Sequence, residues 1–153
     1  MKPKKIALVG GAGFIGHNLA ISLKNRGHEA IVIDSLAVNN ILSFTDSEIK
    51  NRKLYSSILN QRMDLLHDND VEISIEDARD YNSMSMLLGK YNPDVIIQLA
   101  AVSHANKSNK DPHTTFDHTL RTLENTLDIA RNQGARVIYL SSSMVYGHFD
   151  AEI

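Results

Sequence analysis

Short apolar runs recur along the chain with amphipathic stretches between them: KIALVGG (5–11), EAIVIDS (29–35), VEISIED (71–77), DVIIQLAA (94–101) and ARVIYLSS (135–142). Four of them are nearly continuous Ile, Val, Leu and Ala, the pattern of parallel strands covered by helices on both faces. The third differs. Val71-Glu72-Ile73-Ser74-Ile75 alternates apolar with polar, which puts that strand at a sheet edge. The β-α-β rhythm predicts an α/β fold of the Rossmann type, a doubly wound parallel sheet in the order 3-2-1-4-5.

The intervening segments carry helix punctuation. After Gly13, Ile15, Leu19 and Leu23 fall on one stripe, and Gly27 stands where a C-terminal cap belongs. Asp80 is placed to cap a helix whose buried face is Met84, Leu87, Leu88 and Tyr91, with Pro93 stopping it. Between 111 and 134 Phe116, Leu120, Leu123, Leu127 and Ala130 recur at alternating spacings of four and three, and Gly134 follows the last turn. From 36 to 69, Leu54, Ile58, Leu59, Leu65 and Leu66 predict a helix without readable ends.

The 153 residues fit one domain, 1–153. Sixteen basic against eighteen acidic residues give a formal charge of −2, which supplies no footprint for a nucleic-acid backbone or an anionic membrane surface. With no cysteine, disulfides and thiolate metal sites are excluded. The apolar stretch of MKPKKIALVGG is too short for a signal peptide and no run reaches membrane-spanning length, so a cytoplasmic location is expected. Of the seven histidines, His113 and His118 are five apart and share no helical face, so no metal site is expected.

VGGAGFIG closes the first strand and opens the first helix, with Gly10, Gly13 and Gly16 in G-x-x-G-x-x-G spacing. Glycine at the strand's end permits the tight turn. At the helix start it lets bare N–H groups approach a pyrophosphate, whose charge the helix dipole favours. Asp34, followed by Ser35, ends the second strand eighteen residues beyond Gly16. A carboxylate there accepts from a ribose 2′-hydroxyl and repels a 2′-phosphate, and no Arg or Lys follows in DSLAVNN, so NAD is expected rather than NADP.

Taken in order, GGAGFIG, IEDARD, QLAAVSHANKS and YLSSSMVYG resemble the extended short-chain dehydrogenase/reductases, the NAD-dependent epimerase/dehydratase group acting mostly on nucleotide sugars. The resemblance covers essentially the whole chain and corresponds to the family's N-terminal, cofactor-binding half. It implies that Phe14 and Ile15 offer backbone contacts to the pyrophosphate, Asp77 and Ala78 meet the adenine, and Leu99, Ala100 and Ala101 lie against the nicotinamide riboside. Thr119 takes a cofactor-side slot where many relatives have Asn, and Ser103 stands where some have Lys. Ser142 corresponds to the substrate-contacting hydroxyl, with Ser143 the next candidate. A second reading of Asp77 is a helix cap.

In such relatives a hydride leaves a sugar carbon, a tyrosine takes the hydroxyl proton, and a ketone results. The tyrosine belongs to a Tyr-x-x-x-Lys motif, in which nearby cations favour the phenolate. None of Tyr55, Tyr81, Tyr91, Tyr139 and Tyr146 has a lysine four residues on. The expectation is therefore a truncated N-terminal portion of an epimerase that binds NAD but lacks the general base. Ser143 and Met144 stand where dehydratases carry an acid, which favours epimerase over dehydratase. A carbonyl reductase of the same superfamily and a non-catalytic dinucleotide-sensing module are the alternatives. A homodimer is also expected, through the helix around Leu120 or the fifth strand's open edge.

Overall fold

The computed structural model describes residues 2–38, 40–44, 51–102, 110–142 and 145. Among them, strands β1 (Lys5–Val9), β2 (Glu29–Ile33), β3 (Glu72–Ser74), β4 (Val95–Gln98) and β5 (Arg136–Tyr139) form one parallel sheet in the order β3-β2-β1-β4-β5. That is the predicted order. The chain winds outward from β1 through β2 to β3, then returns to lay β4 on the other side of β1, leaving a switch point between β1 and β4.

Helices α1 (Phe14–Asn25), α2 (Arg52–Asp68), α3 (Tyr81–Tyr91) and α5 (Thr122–Gln133) pack on the sheet, and a short helix α4 (Pro112–Phe116), without a buried residue, leads through a π-helical turn, Asp117–Arg121, into α5. Strand alternation sorts the core into two layers. Ile6 and Leu8 of β1 pack with Ala20 of α1 and Leu66 of α2. Ala7 and Val9 point the other way, to Met84 and Leu88 of α3 and Ile129 of α5. Edge strand β3 pairs only with β2 and has no fully buried residue.

Local signals set the ends. Gly27, at φ +81°, closes α1 with its N–H on the Lys24 carbonyl and that of His28 on Leu23. The Asp80 side chain accepts from the N–H groups of Asn82 and Ser83 and starts α3.

On α1 the stripe holds at Leu19 and Leu23, which pack against the core, but Ile15 is 57% exposed; Gly16, His17 and Ala20 complete the buried face, with Gly16 packed directly on the Gly11 backbone. Of the apolar stripe along this segment, Phe116 of α4, Leu120 of the π turn and Leu127 are exposed, Leu123 is half-buried and Ala130 is buried, while Thr122, Asn125, Thr126 and Ile129 supply the rest of the buried face. The cause is Gln98, buried at the end of β4. Its Nε2 donates to Thr122 Oγ1 at 3.0 Å and its Oε1 accepts from Thr126 Oγ1 at 2.9 Å. A buried amide needs partners, and threonines supply them where leucines cannot. In α2, Leu59 and Leu66 are buried, whereas Leu54, Ile58 and Leu65 are exposed. Among the described residues β5 pairs only with β4, and Ile138, Tyr139 and Leu140 are exposed.

On this packing, Thr126→Val strands the Gln98 carbonyl oxygen and costs ~1–3 kcal/mol, whereas the neighbouring Leu127→Ala changes stability by under ~0.5 kcal/mol. Urea unfolding midpoints check the order, and a larger loss for Leu127→Ala would contradict it.

Candidate dinucleotide-binding site

The turn between β1 and α1 is built from backbone. Gly10 has φ +77°, and a Cβ there would stand 2.6 Å from the Ala100 nitrogen in the loop after β4. A Cβ on Gly11 would meet the Leu8 carbonyl oxygen at 2.7 Å, and one on Gly16 the Gly11 carbonyl oxygen at 2.3 Å. The chain's own packing thus requires glycine at all three. Gly13 is different. Its backbone (φ −72°, ψ −179°) suits any residue, and a Cβ would meet only the Gly10 carbonyl oxygen, at 3.4 Å.

Gly13 is the N-cap of α1, and it brings no capping side chain; no acidic residue sits in the first turn. Among the described residues no acceptor meets the N–H groups of Phe14, Ile15 and Gly16. Phe14 and Ile15 both lie in the open. Bare donors at the positive end of a helix, beside a glycine that the fold itself does not demand, form a cradle suited to a phosphate group.

Asp34, just past β2, braces this turn. Its Oδ2 accepts the Ala12 N–H at 3.0 Å and its Oδ1 the Leu36 N–H at 2.8 Å. Burial pushes its pKa above the ordinary carboxylate value, the two backbone N–H groups pulling the other way with less effect. Each oxygen retains a further lone pair for another donor. Ser35 Oγ accepts from the Ala37 N–H at 3.4 Å. Asn40, fully buried, donates to the Ala12 carbonyl at 3.3 Å, so the two peptide units that flank the Ala12 Cα are each held by one side-chain hydrogen bond.

The loop after β3 carries Asp77 and Ala78. The helix-cap alternative for Asp77 does not hold, because Asp80 caps α3. Instead, Arg79 donates to both Asp77 oxygens, from Nε at 3.0 and 3.1 Å and from Nη2 at 2.6 Å. Arg79 Nη1 reaches Asp117 of the π turn at 2.8 Å. Ala78 is buried, and Asn125 of α5 donates to its carbonyl at 2.9 Å. In the loop after β4, Leu99 and Ala100 are half-buried and Ala101 is exposed. Thr119 Oγ1 accepts the Val102 N–H at 3.2 Å, so it braces that loop.

The structure thus places Gly10 against Ala100, Asp34 against the glycine turn, and Asp77 in the loop beyond β3, all at the carboxyl ends of adjacent strands. Ser142 is exposed, three residues beyond β5, with its carbonyl accepting the Val145 N–H at 3.2 Å. Ser143 and Ser103 fall outside the described residues. Sequence reasoning missed Asn40, Arg79, Gln98, Asp117 and Asn125. Only Arg79, adjacent in sequence to the Asp77-Ala78 pair, carried a local signal. Among the described residues no cluster of His, Asp or Glu is placed to hold a metal ion, and no helix is long and apolar enough to cross a membrane.

Hydrogen bonds from Arg79 hold the carboxyls of Asp77 and Asp117 below the ordinary value of 3.8. Just below that value the unfolded chain binds protons that the folded chain does not. The pairing therefore stabilises the fold fully above pH 3.8 and fades as pH falls through the lowered values. The stability gap between the native chain and Arg79→Leu should stay constant from about pH 7 to about pH 5 and close toward about pH 2; an unchanged gap in acid, by urea titration, would contradict the assignment.

The model of the "NAD dependent epimerase/dehydratase family" matches residues 6–153. The bifunctional UDP-glucose 4-epimerase and UDP-xylose 4-epimerase 1 of Pisum sativum is 27% identical over 145 residues, 94% of this chain and 38% of its own length. The UDP-N-acetyl-alpha-D-glucosaminuronate decarboxylase of Bacillus cytotoxicus is 32% identical over 148 residues, again 94% of this chain and 38% of its own. Among solved structures, UDP-glucose 4-epimerase from Brucella ovis in complex with NAD superposes with a TM-score of 0.72 at 24% identity, over 95% of this chain and 38% of that one; at that identity the likeness shows the fold. The chain spans about two fifths of the length of these proteins. With a family match running from β1 past β5, this chain belongs to the NAD dependent epimerase/dehydratase family.

Proposed function

We propose that this chain is the NAD-binding part of a nucleotide-sugar epimerase, an enzyme that removes and returns a hydride at one sugar carbon by way of a ketone. The observation that carries the reading is Gly13, a glycine with no steric cause inside the protein, set at the uncapped start of α1. A ligand that must come close to the backbone supplies the missing cause. The family match and the likeness to an NAD-bound epimerase support the same reading.

In this reading Gly10, Gly13, Phe14, Ile15 and Gly16 hold the pyrophosphate through main-chain N–H groups. Asp34, with Ser35, accepts from the adenosine ribose hydroxyls and turns away a 2′-phosphate by charge. Asp77 and Ala78 take the adenine, and Leu99, Ala100 and Ala101, braced by Thr119, form the wall at the other end. When bound, NAD supplies a hydride acceptor that can also give the hydride back. Ser142, or Ser143, offers its hydroxyl to the reacting sugar oxygen.

No tyrosine in the sequence is followed four residues later by lysine, so the general base must come from outside these 153 residues. The isolated chain then binds without turning over. The absence of a carboxylate at Ser143 and Met144 favours epimerisation over elimination of water. The exposed Phe116, Leu120 and Leu127 are the surface we assign to a homodimer.

Calorimetric titration tests the cofactor directly. The folded chain should release or absorb heat with NAD and bind NADP at least ~10-fold more weakly, a charge repulsion of ~1.4 kcal/mol or more. Gly13→Val should abolish NAD binding while costing only about 1 kcal/mol of stability, the loss of a favoured N-cap residue. Gly10→Ala, with positive φ and the Ala100 backbone in its way, should lose roughly 1–3 kcal/mol or more. A folded chain without NAD heat, or a Gly13→Val variant that binds like the native chain, would overturn the reading.

A further inference from the structure

The loop after β3 is tied to the helical segment behind β4 by contacts that the dinucleotide reading leaves unused. The Arg79 guanidinium forks onto Asp77 through Nε and Nη2, and its remaining nitrogen, Nη1, crosses to Asp117, 38 positions along the chain. Asp117 is itself held by Arg121 Nε at 3.0 Å. Asn125 donates to the carbonyls of both Ala78 and Arg79 at 2.9 Å, pinning the backbone on either side of the guanidinium's root. Charges therefore alternate from Asp77 through Arg79 and Asp117 to Arg121.

An unanchored aspartate samples several rotamers and meets a ligand in whichever suits it. Here the Arg79 backbone N–H holds Oδ1 at 2.9 Å and the fork adds a hold on both carboxylate oxygens, and bidentate pairing of this kind fixes a plane as well as a distance. Arg79 is shared with Asp117, so it orients Asp77 while Asp77 stays an ionised hydrogen-bond acceptor. A carboxylate so held accepts hydrogen bonds and donates none. A purine carrying an amino group at position 6 offers it a donor. One carrying an oxo group there offers lone pairs, which repel it.

We propose that Arg79, anchored on Asp117, is a positioning residue that sets the base selectivity of this site, holding Asp77 so that the chain takes a 6-aminopurine dinucleotide and rejects its 6-oxopurine counterpart. This rests on the dinucleotide reading above.

The test compares calorimetric affinities for NAD and for nicotinamide hypoxanthine dinucleotide, which differ only at the base. The native chain should favour NAD by about tenfold, the scale of one hydrogen bond to a charged acceptor. Arg79→Leu should bring the ratio to within about twofold of unity, chiefly by weakening NAD. Arg79→Lys, which keeps the charge and loses the fork, should fall between. Asp117→Asn removes only the far anchor and should also lower the ratio, so it carries the test if Arg79→Leu does not fold. A role in stability alone would weaken both dinucleotides equally. An unchanged ratio in Arg79→Leu, or in both Arg79→Lys and Asp117→Asn, overturns the proposal, as does a native chain indifferent to the base. A folded native chain that binds neither dinucleotide overturns the cofactor reading itself.

Discussion

The carboxylate of Asp34 reaches back across the crevice between the first two strands to take the Ala12 N–H, while Asn40, from the far side of the same loop, takes the Ala12 carbonyl. Two successive peptide units, on either side of the Ala12 Cα, are thereby fixed in the middle of a turn that has almost no side chains of its own to hold it. They set the path from Gly10 to Gly13, hence the direction of α1 and of the N–H groups at its start. Burying a carboxylate to do this is costly, as the raised pKa of Asp34 records. Two backbone donors offset part of that cost, and the same group stays available for a ribose hydroxyl.

The two ends of the site are braced on one piece of helix. Arg79 joins the loop after β3 to Asp117, and two residues further on Thr119 holds the Val102 N–H in the loop after β4. Both contacts fall within the π turn. A π turn widens the helix by a residue, which offers Asp117 and Thr119 to two different loops while α5 keeps Thr122 and Thr126 on Gln98. The buried face of α5 is polar because the strand beneath it ends in an amide, and the outer stripe is left apolar.

Much of the fold was legible because a central parallel strand must be apolar on both faces, and so declares itself as an unbroken run at 6–9, 30–33 and 95–97. The glycine turn was legible for a similar reason: backbone crowding tolerates one residue type, and Gly10 and Gly16 report it. Periodicity identifies a stripe without saying which of its members meet the sheet. At Ile15 the answer came from the Gly11–Gly16 contact in the turn before it, and at Leu127 from Gln98, 29 residues away. The Arg79–Asp117 pair, separated by 38 positions, was out of reach of any local pattern. The choice between Ser142 and Ser143 rests on motif alignment alone, since Ser143 lies outside the described residues.

If main-chain N–H groups at the start of α1 receive a dinucleotide's pyrophosphate, those amides must respond to it. Amide proton–nitrogen correlation spectra of the folded chain, followed while NAD is added, read this atom by atom. Saturable shifts should concentrate at Gly13, Phe14, Ile15 and Gly16, with the amides of α2 from Arg52 to Asp68 unmoved. Spectra in which those four amides stay fixed while NAD saturates the chain would contradict that placement.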